Sequence, residues 1–156
     1  MEDHVALPSS DRVARLLRDL LGKAVTPKKS AGALPLGKTW VGTYVDDSGK
    51  LAGLCLCDLG LASSMGAALA LIPAGAAAET VRVGTLSGEM MDNLREVLNV
   101  MASLFGGPHV RFSALVAPPT APPAEVAALA ARPGSRLDLD VAVAGYLGGK
   151  VAFLVS

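Results

Sequence analysis

Residues 59–78 run without one charged side chain, and what a chain can do with such a stretch bounds its fold. The run is about as long as a bilayer-crossing helix, which needs roughly 20 residues. Its content argues against a span. Alanines, Gly60, Gly66, Gly75, Ser63, Ser64 and Pro73 fill much of it, and no Lys or Arg cluster stands at either end to set an orientation. It is read instead as an Ala-rich helix over 61–71 in a globular domain, stopped by Pro73 and Gly75, with no membrane as partner. Composition agrees: 156 residues that are 51% hydrophobic and 18% charged can bury a core as a single domain, 1–156. Basic and acidic side chains balance at 14 each. That leaves no basic face for a duplex, and few aromatics for stacking single strands, so nucleic acid is excluded as a main partner. The acidic start Met1-Glu2-Asp3-His4, followed by Pro8, Ser9 and Ser10, lacks the basic and apolar regions of a signal peptide, so a cytoplasmic location is expected.

Hydrophobic periodicity organises the rest. Val13, Leu16, Leu17, Leu20 and Leu21 recur at helical spacing over 11–22, with Ser10 as the expected N-cap and Gly22 as the stop. Residues 23–38 read as a connector, with room for an extended segment. Apolar runs at 39–44 and 50–57 flank an Asp, Ser and Gly turn and predict a hairpin. The longest clean helical pattern is 87–105, stopped by Gly106-Gly107-Pro108. A strand over 109–117, a Pro-rich loop over 118–123, a short helix over 124–131 and a hairpin of 136–143 with 150–155 complete the chain. Hairpins interrupted by helices, without regular βαβ repeats, predict an α+β fold with helices packed on one face of an antiparallel sheet.

Several familiar catalytic constellations are missing: the sequence has no GxSxG, GxGxxG or HExxH. Asp138 and Asp140 suit the solvent side of a strand. Cys55 and Cys57, two apart on one strand, face the same way and read as buried free thiols. His4 and His109 are too distant in sequence to complete a metal site with them.

The 87–105 helix does carry a pattern. At about 100° per residue, Asp92, Glu96, Asn99 and Ser103 fall within roughly 60° of one another, opposite Leu94, Val97, Leu98, Met101 and Phe105. The apolar side must face the core, so the polar stripe is presented to solvent or to a partner.

Asp92-xxx-Glu96-xx-Asn99 resembles the D/S-xxx-E-xx-N signature of the CheC, CheX and FliY phosphatases of bacterial chemotaxis, and the chain is most similar to the CheX branch. The flanking order agrees: a helix ending in Asp19-Leu20-Leu21-Gly22, a hairpin with Ser48-Gly49-Lys50-Leu51-Ala52-Gly53-Leu54, a small-residue helix, the signature helix, a strand from His109, a Pro-Pro pair and a final hairpin. Pro122 meets the signature's spacing to a later proline, whereas Pro118-Pro119-Thr120 better matches the family's Pro-Pro segment. CheC repeats the signature on its first helix. Here that spacing gives Asp11, Arg15 and Arg18, so no second site is expected there.

The resemblance implies hydrolysis of an aspartyl phosphate on a CheY-like response-regulator receiver domain. Asn99 would orient the attacking water and Glu96 would pair with the receiver's lysine, with Asp92 and Ser103 as partner contacts. The chain would need no metal or cofactor of its own, Mg²⁺ being supplied by the receiver. A non-catalytic module that binds a receiver or self-assembles is the alternative. The resemblance also implies a homodimer. Leu139, Val141, Val143, Val151, Phe153 and Val155 make the C-terminal hairpin so apolar that its strand edge is expected to form the two-fold contact.

Overall fold

The computed structural model describes residues 4–31 and 34–156; Met1, Glu2 and Asp3, which contribute to the reading of the chain start, lie outside them. Among the described residues the order is α1 (Ser10–Leu21), β1 (Val25–Lys29), β2 (Trp40–Asp46), β3 (Leu51–Cys57), α2 (Leu59–Ala68), α3 (Ala74–Val83), α4 (Gly88–Val100), β4 (Val110–Val116), α5 (Ala124–Ala131), β5 (Ser135–Val143) and β6 (Gly149–Val155). Short 3₁₀ turns occupy Leu36–Lys38 and Met101–Leu104. The strands form one antiparallel sheet in the order β1-β5-β6-β3-β2-β4. This is the expected α+β architecture, except that the helices do not share one face: α5 packs on the side of the sheet opposite α1, α2 and α4.

Strand alternation sorts the apolar residues into two layers. Trp40, Tyr44, Cys55, Cys57, Leu139, Val141 and Phe153 meet Val13 and Leu17 of α1, Leu61 and Met65 of α2, and Leu94 and Leu98 of α4 in the main core. On the opposite face Val41, Leu54, Leu56 and Leu154 pack with Val126 of the short α5 and with Leu34 and Leu36. Each fully buried Leu or Phe contributes about 1.5–3 kcal/mol.

The chargeless run now has its reason. Residues 61–68 of α2 are all buried, because the helix lies against the sheet with α3 and α4 on its other sides, and a helix buried all round carries apolar residues all round. Its hydroxyls are satisfied internally: Ser63 donates to Ala77 O at 2.9 Å and Ser64 to Gly60 O at 2.7 Å. Gly66 lets α4 come close, since a Cβ there would lie 2.8 Å from Met90 O. Asn93 of α4 donates to Gly66 O at 2.8 Å.

Several expectations shift. The N-cap of α1 is Ser9, whose hydroxyl accepts from Arg12 N, rather than Ser10. Pro73 and Gly75 do not end helical structure but open α3, because proline is tolerated at a helix start where its missing N–H is not needed. The connector supplies β1. The largest correction concerns the C-terminal hairpin: β5 is flanked by β1 and β6, and β6 by β5 and β3. Both strands are interior, and Leu139, Val141, Val143, Val151, Phe153 and Val155 are buried in the chain's own core. Among the described residues β1 covers β5 from Leu139 to Val143 and β3 covers β6 from Val151 to Val155, so the apolar length of the hairpin offers no open edge for two chains to join.

The strand order reads the same from either end when β1, β2 and β3 are exchanged for β4, β5 and β6. The chain is therefore built from two α-β-β-β halves, with α1 and α4 in equivalent places.

Candidate functional site

Ser87 starts α4, its hydroxyl accepting from Met90 N at 3.2 Å, and Met90, Leu94, Val97 and Leu98 anchor the helix to the core. The anchoring turns Asp92, Glu96 and Asn99 outward, and all three are exposed.

Their surroundings differ. Asp92 is held in an ion pair with Arg95 at 3.0 Å. Ser103 donates its hydroxyl to Val100 O at 3.0 Å, and its own carbonyl oxygen accepts from Arg12. Glu96 and Asn99 have no side-chain hydrogen bond or ion pair to any described residue, so their polar atoms are bare to solvent. The expected four-residue stripe is thus shorter: the α-helix ends at Val100 and Ser103 lies in the 3₁₀ turn. A 3₁₀ turn advances about 120° per residue rather than 100°, which takes Ser103 off the line of the other three. The terminal tightening satisfies carbonyls that the last α-helical turn leaves open.

Asn99 opens onto a groove of about 570 Å³ between the end of α4 and the edge strand β4, with Ser103, Phe105, Pro108, His109 and Phe112 among its walls. At its outer end His109 Nδ1 and Asp47 Oδ1 are 2.8 Å apart. A second groove, of about 450 Å³, runs between α1 and the same helix end and includes Arg15, Leu16, Asp19 and Leu20. Val100 and Ser103 border both, so the C-terminal end of α4 forms a ridge between two hollows. The wall of His109 and Phe112 was not among the expected site residues. It lies beyond the signature helix in sequence and is carried there by the pairing of β4 with β2.

The equivalent helix of the other half carries Arg15 and Arg18 at the signature's spacing from Asp11. Arg18 of α1 donates to Val25 O at 3.1 Å, a bond that ties α1 to β1, and α1 offers no acid-amide pair at the places of Glu96 and Asn99.

Cys55 and Cys57 are free and buried, with sulfurs 4.0 Å apart. The hydrogen bond to Cys55, then burial, push the Cys57 thiol well up, so it stays protonated and unreactive. Among the described residues no His, Cys, Asp and Glu side chains cluster as three or more metal ligands. Among the described residues no helix is long and apolar enough to cross a membrane.

No family model matches the chain, and no curated protein matches it. Solved structures do. The middle domain of FliM from H. pylori aligns with 94% of this chain and 84% of its own at 9% identity and a TM-score of 0.51. FliY from Thermotoga maritima aligns with 94% of this chain and 89% of its own at 12% identity and a TM-score of 0.48. The H. pylori likeness is one of fold: this chain shares the α+β architecture of a FliM middle domain.

Proposed function

We propose that this protein accelerates hydrolysis of an aspartyl phosphate on a CheY-like receiver domain, using α4 as an inserted helix. The observation that carries the reading is the pair of unpartnered side chains, Glu96 and Asn99, one turn apart on an exposed helix face beside the ion-paired Asp92. An acyl phosphate is activated already, so a catalyst need only position water and balance charge. Asn99 suits the first task, because its amide can accept from water while donating to a phosphoryl oxygen. The water oxygen forms a bond to phosphorus, the bond from phosphorus to the aspartyl oxygen breaks, and the products are inorganic phosphate and the free carboxylate. Glu96 pairs with the receiver's lysine and sets the helix in register. Asp92, already balanced by Arg95, borders this contact. Mg²⁺, which the resemblance implies the receiver would hold, would supply charge neutralisation at the phosphoryl oxygens.

The test is to charge receiver domains from the same cell with labelled acetyl phosphate and follow loss of label with and without the protein. Acceleration supports the reading. Retention of label by a receiver that nonetheless binds would favour the second one, a non-catalytic receiver-binding module. That reading draws on the same unpartnered pair, which suffices to hold a partner without chemistry.

We propose that the homodimer the resemblance implies forms along β4 instead of through the C-terminal hairpin. The outer strand β1 is blunted by Pro27, Lys28 and Lys29, whereas β4 (VRFSALV) has neither proline nor lysine along its open side.

A further inference from the structure

Leu98, immediately before Asn99, is gripped twice by one strand. Its side chain occupies the space that Gly42 leaves open on β2: a Cβ at position 42 would stand 3.1 Å from Leu98 Cδ2. Two residues on, on the same face of β2, the Tyr44 hydroxyl donates to Leu98 O at 2.6 Å. Tyr44 is fully buried. Phe105 at 4.8 Å between ring centroids and Phe112 at 5.9 Å fix the plane of its ring. Leu98 O is one of the last four carbonyls of α4, the part of a helix most prone to fray.

We infer that Tyr44 is a positioning residue for Asn99: its hydroxyl holds the peptide joining Leu98 to Asn99, and so sets where the Asn99 amide meets a docked receiver. The inference rests on the phosphatase reading of α4. Packing alone would be served by phenylalanine at position 44, since two aromatic rings already surround the site. The hydroxyl adds a bond from the sheet to the helix at the residue preceding the free amide. Burial, with Cys55 and Cys57 adding to it, pushes the Tyr44 phenol well above its ordinary range, so it remains a donor at any working pH. Misplacement of a positioned group by about an ångström can cost on the order of 100-fold in rate. A loosened helix end is a milder fault, and about tenfold is expected.

The experiment measures kcat and KM separately with labelled phospho-receiver, using Tyr44→Phe. The expected result is a kcat about tenfold lower with KM changed less than twofold, in a protein still folded at the assay temperature by circular dichroism. A purely structural hydroxyl would leave kcat of the folded protein unchanged, and that result overturns the inference, as does a loss confined to KM. If Tyr44→Phe melts below the assay temperature, both proteins are assayed at a lower temperature at which the variant is folded; there too an unchanged kcat overturns the inference. Acceleration by the wild type that Asn99→Ala removes, beside an unaffected Tyr44→Phe, would leave the phosphatase reading standing and sink only the role of Tyr44. No acceleration by the wild type overturns both.

Discussion

The guanidinium of Arg12 on α1 donates to the carbonyl oxygens of Ser103, at 3.1 Å, and Leu104, at 3.4 Å. It thereby caps the end of the helix that carries Glu96 and Asn99. Carbonyls at a helix end gather partial negative charge, and a cation there stabilises it. The first half of the chain thus braces the C-terminal end of α4 in the second.

Arg12→Ala should remove both bonds and cost about 1 kcal/mol, a melting point lower by roughly 2–4 °C for a domain of this size. Amides of residues 101–104 should exchange faster with deuterium while those of residues 92–96 hold. An unchanged melting point together with unchanged exchange would show that the contact contributes nothing.

Glu96 and Asn99 should separate stability from function. Both are exposed and unpartnered, so Asn99→Ala and Glu96→Ala should each melt within about 0.5 kcal/mol of the wild type. Asn99→Ala should nevertheless lose most dephosphorylation. Glu96→Ala should weaken receiver binding and flatten its salt dependence, as expected when an interfacial charge pair is removed. Full activity in Asn99→Ala would end the water-orienting role.

The turn between β2 and β3 supplies a pH-dependent contribution. Asp46 Oδ1 accepts from Ser48 Oγ at 2.6 Å, Ser48 N at 2.9 Å and Lys50 N at 3.0 Å. These bonds, the Ser48 hydroxyl foremost, hold its carboxyl below the ordinary value. A carboxyl lowered on folding stabilises above the unfolded pKa, and that contribution fades as pH falls through the folded one. Asp46→Ala should therefore lower the melting point at neutral pH and converge with the wild type under acid. Equal destabilisation at both pH values would contradict this.

Legibility from sequence followed locality. The helices α1 and α4 and the two long hairpins stand out by period, and the Glu96 and Asn99 pair could be read because i and i+3 share a face. Strand β1 was hidden by Pro27 and two lysines, residues that an edge strand tolerates because it pairs on one side only. Helix α3 gave little signal because Ala77 is its sole buried residue. The interior place of the β5–β6 hairpin and the β4 wall beside Asn99 depend on pairings between distant segments. No local pattern records those.

That last difference relocates the expected dimer and makes it testable. With the C-terminal hairpin interior, the open strand is β4, where Arg111, Ser113 and Ala114 are exposed and Ser113 sits at the register shift without a partner on β2. A two-fold antiparallel pairing centred near Ser113 would set equivalent residues of the two chains opposite one another. Ser113→Lys should then face lysine with lysine and weaken the pair, since like charges directly opposite across strands destabilise. By light scattering at micromolar concentration, the wild type should show twice the 15.8 kDa chain mass and Ser113→Lys should shift towards the monomer. A wild-type mass near that of one chain would end the dimer, and a dimer indifferent to Ser113→Lys would move the contact off β4. With Cys55 and Cys57 buried, a thiol introduced by Asn99→Cys should be the one that reacts in the dimer; if it stays unreactive, pairing covers the helix that the receiver must reach.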